Sequence, residues 1–198
     1  MGPNVRSLFR ERPGAEPSGK TSIRGAAACA AGELAGFAAR RRQPAAAQLA
    51  EAYIRLGERY GVRGDLAFCQ ALYETRALAD GRVRPIGEAR PTDLWGLPGR
   101  DGPLSEALAE RQIRQLFAFA SREPFPDGVP APDPETDAGL RTIARKQWRG
   151  AAPHWEDLNG KWSYPGAKYG EDIVAIWRNL LEWAGERKRR EERNRQAP

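Results

Sequence analysis

Leu49, Tyr53, Leu56 and Tyr60 recur at intervals of three and four residues, the period of one helix face, and Gly61 follows where that face stops. The spacing predicts an amphipathic helix over 47–60. In the next segment, 65–75, the apolar residues Leu66, Ala67, Phe68, Cys69, Ala71 and Leu72 fall on nearly every side, as in a helix at the centre of a domain. Glu74 stands at its far end. Ala109, Ile113, Leu116, Phe117 and Ala120 mark a third helix over 104–120, and Leu140, Ile143, Ala144 and Trp148 a fourth over 135–148. Ile173, Ile176, Trp177, Leu180, Leu181 and Ala184 form a wide apolar stripe, which predicts a last helix over 169–184. Trp177 and Trp183 lie within that period and read as packing residues.

Between these segments the pattern breaks. Gly, Pro and Arg dominate 80–102, which predicts loops with at most a small β-hairpin lobe, and five prolines between Pro124 and Pro134 predict a stiff connector. Residues 1–46 are rich in Gly, Pro, Ala and Arg without a sustained period, and read as a disordered segment. At the other end, six basic residues meet three acidic ones over 186–195, the composition of a solvated, frayed helix end. The expected organisation is therefore a low-complexity segment 1–46, an all-α domain 47–184 and a charged tail 185–198.

With 198 residues and 40% hydrophobic side chains, the chain can bury one core. No apolar run approaches the ~20 residues that a membrane-spanning helix needs. Lys and Arg number 32 against 26 Asp and Glu, a formal net charge of +6 that favours anionic partners. No reading helix or stacking sheet accompanies the charge, so nucleic acid is not an expected partner. Cys29 and Cys69 are too few for a disulfide framework, and the single His154 leaves no Cys/His cluster for structural zinc. The Ala-rich stretch 25–39 follows several arginines but lacks Leu and Val in the proportion a secretory signal requires, and it has no clear cleavage site.

Residues 14–21, Gly-Ala-Glu-Pro-Ser-Gly-Lys-Thr, match the phosphate-loop pattern letter for letter. The match is refused on context: a working loop joins a buried strand to a helix, and Leu8-Phe9-Arg10-Glu11-Arg12-Pro13 cannot form such a strand.

Glu74 is the stronger chemical signal. A carboxyl at the end of an apolar helix is partly desolvated, which disfavours its charged form and raises its pKa toward the range of a general acid. An exposed helix-end Glu is the competing reading from spacing alone. The segment from Val62 to Thr75, Val-Arg-Gly-Asp-Leu-Ala-Phe-Cys-Gln-Ala-Leu-Tyr-Glu-Thr, resembles the central helix of bacterial glucosaminidase domains, the peptidoglycan hydrolases of glycoside hydrolase family 73. Thr92-Asp93-Leu94-Trp95-Gly96-Leu97 is similar to that family's Asn-Leu-Phe-Gly type segment. Ala152 to Trp162, followed by Pro165-Gly166 and Tyr169-Gly170, resembles its C-terminal signature.

The resemblance runs in order from about residue 47 to 184 and implies a lysozyme-like α fold that cleaves the β-1,4 bond after N-acetylglucosamine in peptidoglycan glycan strands. It implies no metal or organic cofactor, a monomer, and a place in the cell wall or outside the cell, with retention in the cytoplasm until release as the alternative. Glu74 falls on the family's catalytic acid and Tyr169 on its motif tyrosine; a core role for Tyr169 competes. Trp95, Trp155, Trp162 and Tyr164, in Gly- and Pro-flanked segments, are expected to stack on sugar rings. Gln70, Arg76, Arg63 and Lys161 are further expected substrate contacts.

Two departures bear on activity. Arg76 replaces the Gly usual after Glu-Thr, and a cation there would hold Glu74 ionised. Asp93 replaces the usual Asn in a shortened lobe, leaving Asp93 and Glu88 as the first choices for a second catalytic group. A lytic transglycosylase and a catalytically impaired glycan-binding module of the same fold are the alternatives.

Overall fold

A computed structural model describes residues 19–79, 105–129, 137–163 and 166–196, without the side chains of 75–79. The described chain is all-α. Its helices are α1 (Ala31–Arg40), α2 (Pro44–Ala47), α3 (Ala50–Tyr60), α4 (Gly64–Ala79), α5 (Glu106–Ala120), α6 (Ala138–Arg145) and α7 (Tyr169–Gln196), with a 3-10 turn at Trp155–Leu158. Among the described residues no helix is long and apolar enough to cross a membrane.

The all-round apolar segment does form the central helix. Leu66, Ala67, Phe68, Cys69 and Leu72 of α4 have no more than traces of exposed surface, and α1, α3, α5 and α7 pack around it. Local chemistry sets the helix ends. Gly61, at φ +64°, takes the left-handed conformation that closes α3 at little steric cost. Ser105 Oγ accepts from Leu108 N at 3.3 Å to open α5, and Asp137 Oδ1 accepts from Leu140 N at 3.0 Å to open α6.

The domain begins well before residue 47. Leu34, Phe37 and Ala38 of α1 are core residues, and the Phe37 ring lies 5.9 Å from that of Trp183 on α7. Glu33 accepts from Ala30 N at 2.8 Å and pairs with Lys188 of α7 at 2.8 Å. Upstream of α1, an extended strap holds the two ends of the domain together. Ile23 N donates to Pro153 O and Arg63 N to Ile23 O, both at 2.9 Å, while Trp155 N donates to Thr21 O at 2.8 Å. Thr21 and Ile23 point inward, Ser22 and Arg24 outward. The composition of 1–46 hides both elements, because the strap is short and α1 carries only Leu34 and Phe37 as large apolar residues among alanine and glycine.

Buried Asp65 fastens this strap region to the centre. Its Oδ2 accepts from Ala28 N at 2.9 Å and from Trp177 Nε1 at 2.8 Å, and its Oδ1 from Leu66 N at 3.0 Å. Lys20, the lysine of the phosphate-loop pattern, is paired with Asp157 at 2.5 Å. The residues after it are extended, not helical, which agrees with refusing the motif. At the other end α7 continues through the expected tail to Gln196, since no Gly or Pro interrupts it beyond Gly185 and Arg187 pairs with Glu191 one turn on at 2.7 Å. The predicted loops of 80–102 lie outside the described residues.

The start of α7 is fixed by backbone contact. A Cβ on Gly170 would sit 2.1 Å from Trp155 O, and Gly170 N donates to Asn159 Oδ1 at 2.8 Å. Gly170→Ala is therefore expected to destabilise the fold by about 1–3 kcal/mol, the usual range for overpacking, as read from a shifted midpoint in urea unfolding.

Candidate active site

Three elements converge on Glu74. Helix α4 carries its carboxyl and, one turn earlier, Gln70; the first turn of α7 brings Tyr169; α5 lies behind with Gln112. Glu74 keeps 8% of its surface exposed, whereas Gln70 and Gln112 keep none. Tyr169 Oη donates to Glu74 Oε1 at 2.5 Å and receives Gln70 Nε2 at 2.8 Å. Gln70 Oε1 in turn accepts from Gln112 Nε2 at 2.6 Å, and Gln112 Oε1 from Tyr53 Oη of α3 at 2.5 Å. The amide of Gln112 also donates to Ala67 O at 3.0 Å.

Burial governs the carboxyl. Desolvation raises Glu74 from an ordinary value of 4.5 to about 7, against the opposing pull of the Tyr169 hydrogen bond. Burial and the neighbouring Glu74 raise the Tyr169 hydroxyl well above its usual range, so it remains a neutral donor. The Tyr73 ring packs edge-on against Tyr169, with centroids 5.5 Å apart, and its hydroxyl donates to Asp172 Oδ2 at 3.4 Å. Partial burial also raises the Asp172 carboxyl.

Glu74 and Tyr169, each singled out by the resemblance, are in direct contact. Other expected contacts are corrected. Trp155 and Trp162 are 0% and 1% exposed; Trp162 packs 5.7 Å from Phe119, so neither offers a face to a sugar. Flanking Gly and Pro made both segments look like open loops, but the 3-10 turn folds them inward. Gln70 is sealed from solvent and serves Tyr169 instead of substrate. Arg63 lies over the Trp177 ring at 4.4 Å, and Lys161 donates to Asp157 O at 2.9 Å. Arg76 has its backbone in α4, while its side chain, and Asp93, Glu88, Trp95 and Tyr164 altogether, lie outside the described residues.

Sequence reasoning missed Gln112, Tyr53 in its polar role, and Asn159. A signal existed for Gln112: it falls between Ala109 and Ile113 on the apolar stripe of its helix, where a polar residue needs an internal partner. Asn159 fixes the entry to α7, donating to Glu171 Oε2 at 2.7 Å while accepting from Gly170 N. Among the described residues no group of three or more His, Cys, Asp or Glu is placed to hold a metal ion. A shallow pocket lined by Arg24, Phe117, Glu123 and Phe125 is separate from Glu74, and Arg24 already pairs there with Glu123 at 2.5 Å. Taken together, the carboxyl is one that burial raises to about 7 and that a phenol holds on one oxygen.

Comparison of the chain with protein-family models, with curated proteins and with solved structures finds no match.

The raised Glu74 pKa has a consequence for stability. The folded state binds this proton more tightly than the unfolded chain, so the contribution is unperturbed below about pH 4.5 and becomes increasingly destabilising as pH rises to about 7. At roughly 1.4 kcal/mol per tenfold change in proton affinity, the penalty is about 3 kcal/mol above neutrality. Glu74→Gln is expected to raise the thermal midpoint relative to wild type at pH 8 and to leave it nearly unchanged at pH 4, measured by circular dichroism at both values.

Proposed function

We propose that the protein is a peptidoglycan hydrolase, an endo-β-N-acetylglucosaminidase that cleaves the β-1,4 bond after N-acetylglucosamine, with Glu74 as its general acid. The observation that carries this reading is the Glu74 carboxyl itself, buried, raised to about 7 and held on one oxygen by Tyr169 at 2.5 Å. Glycoside cleavage needs a proton delivered to the leaving oxygen as positive charge develops at the anomeric carbon. A carboxylic acid that keeps a substantial protonated fraction near neutrality can supply it, and the most effective acid is one whose pKa lies near the working pH. The ordered resemblance of Val62–Thr75 and of Ala152–Gly170 to glucosaminidase segments supplies the substrate class.

In this reading Tyr169 orients the carboxyl in the neutral state and stabilises the carboxylate left after proton transfer. The net positive charge of +6 suits an anionic wall polymer, whose stem peptides and lactyl groups carry carboxylates. Catalysis requires no group beyond the chain's own side chains for the proton step.

Digestion of purified peptidoglycan, followed by borohydride reduction and mass analysis, tests the reading. Wild type is expected to release fragments ending in reduced N-acetylglucosamine, and Glu74→Gln to lose about 10²–10⁴-fold in rate, the usual contribution of a general acid. Anhydro-muramic ends would replace the hydrolase by a lytic transglycosylase. Binding to the wall without release of fragments by either protein would make it a glycan-binding module. The hydrolysis rate is also expected to fall above about pH 7, as Glu74 loses its proton.

A further inference from the structure

The hydrogen bonds behind Glu74 run in one direction, and a single backbone atom sets that direction. A carbonyl oxygen can only accept. Because Gln112 points one end of its amide at Ala67 O, 3.0 Å away, that end must be the NH2 group. Its second hydrogen goes to Gln70 Oε1 at 2.6 Å, which makes that atom the oxygen and turns Gln70 Nε2 toward Tyr169. With Nε2–H directed at a lone pair of Oη, the Tyr169 hydroxyl proton is turned to Glu74 Oε1. At the other end Gln112 Oε1 faces Tyr53, whose hydroxyl completes the chain as a donor. Gln70 and Gln112 are wholly buried, and Tyr53 and Tyr169 nearly so, so water does not rearrange these bonds.

We propose that Gln112, locked by the Ala67 carbonyl, is a positioning residue that fixes the polarity of the Gln70–Tyr169–Glu74 chain and thereby confines the transferable proton of neutral Glu74 to Oε2. An Oε1 that is already accepting from Tyr169 is the oxygen of the neutral acid that carries no proton, and the acid donates from the other face of its carboxyl. This deepens the general-acid reading and rests on it, but the chain itself is measurable without any substrate.

Among the described residues the groups that face this carboxyl are few. Tyr169 and, beyond Tyr73, Asp172 come from α7; Tyr73 comes from α4 itself; α3 contributes Tyr53 at the far end, and α5 only the Gln112 amide. Arg41, after α1, acts on Cys69. Arg76 shares α4, with its side chain outside the described residues.

The test is a carboxyl 13C NMR titration of Glu74 in the full chain. In Gln112→Met the amide of Gln70 is free to turn over, Tyr169 can donate to it instead, and the carboxylate loses its charge-assisted hydrogen bond. Glu74 is then expected to bind its proton about tenfold more tightly. Gln70→Met, which removes the Nε2 donor but gives Tyr169 no competing acceptor, is expected to give a smaller shift, as is Tyr53→Phe, which leaves the Ala67 lock in place. Leu116→Ala, a core truncation on the same helix, controls for loosened packing and is expected to leave the titration in place. If Gln112→Met moves the titration no more than Leu116→Ala or Gln70→Met does, the proposal is overturned. Should Gln112→Met not fold, Gln112→Leu, which suits the apolar stripe of that helix, decides between these outcomes. Absence of glycan cleavage alongside the expected titration would overturn the enzymatic reading and leave the hydrogen-bond chain standing.

Discussion

Enclosure of α4 is the constraint from which the rest of the structure follows. Packed by α1, α3, α5 and α7, this helix has no side left for water over residues 64–72, so each polar group there needs a partner inside the protein. Asp65 at its start takes Ala28 N, Leu66 N and the Trp177 indole. Gln70 at its middle takes Gln112 and Tyr169. Glu74, where the enclosure opens slightly, takes Tyr169 on one oxygen and retains a small exposed surface. The same burial that seals the helix moves that last carboxyl to about 7. Stability and acidity at Glu74 therefore oppose each other, as is common where a strained or desolvated group is kept for function.

What the sequence makes legible follows the size of the side chains. Large apolar residues at helical spacing locate α3, α4, α5 and the first half of α7 within a few residues, because burying them dominates the energetics. Helix α1 escapes notice because alanine and glycine hold most of its positions and only Leu34 and Phe37 weigh in the pattern. The end of α7, residues 186–196, escapes for the opposite reason: its residues are all charged or polar, and helix continues there through propensity and ion pairs such as Arg187 with Glu191.

The candidate site is legible in part on the same logic. Glu74 ends a strong apolar run, where an exposed helix-end Glu competes on spacing alone, and Tyr169 is singled out through the resemblance. Their contact spans 95 residues and depends on how α7 enters the domain, which Asn159 and Gly170 set through backbone hydrogen bonding and close approach. The two tryptophans in Gly- and Pro-flanked segments show the limit of local reading. Exposure is a property of the whole packing, and the 3-10 turn at Trp155–Leu158 places its large side chains in the core.

The strap at Thr21–Arg24 bears on how the protein is assembled in time. Its backbone partners are Arg63 on one side and Pro153 and Trp155 on the other, so its native pairing closes loops of about 130 residues, far beyond the local contacts of the helices. During synthesis from the N-terminus the strap emerges early, yet its second set of partners exists only once most of the domain has been made. Ile23, fully buried in the finished fold, has its backbone N–H satisfied by Pro153 O only when that set is in place. The segment at the beginning of the described chain thus completes its docking late in folding, after the helices it ties together have formed.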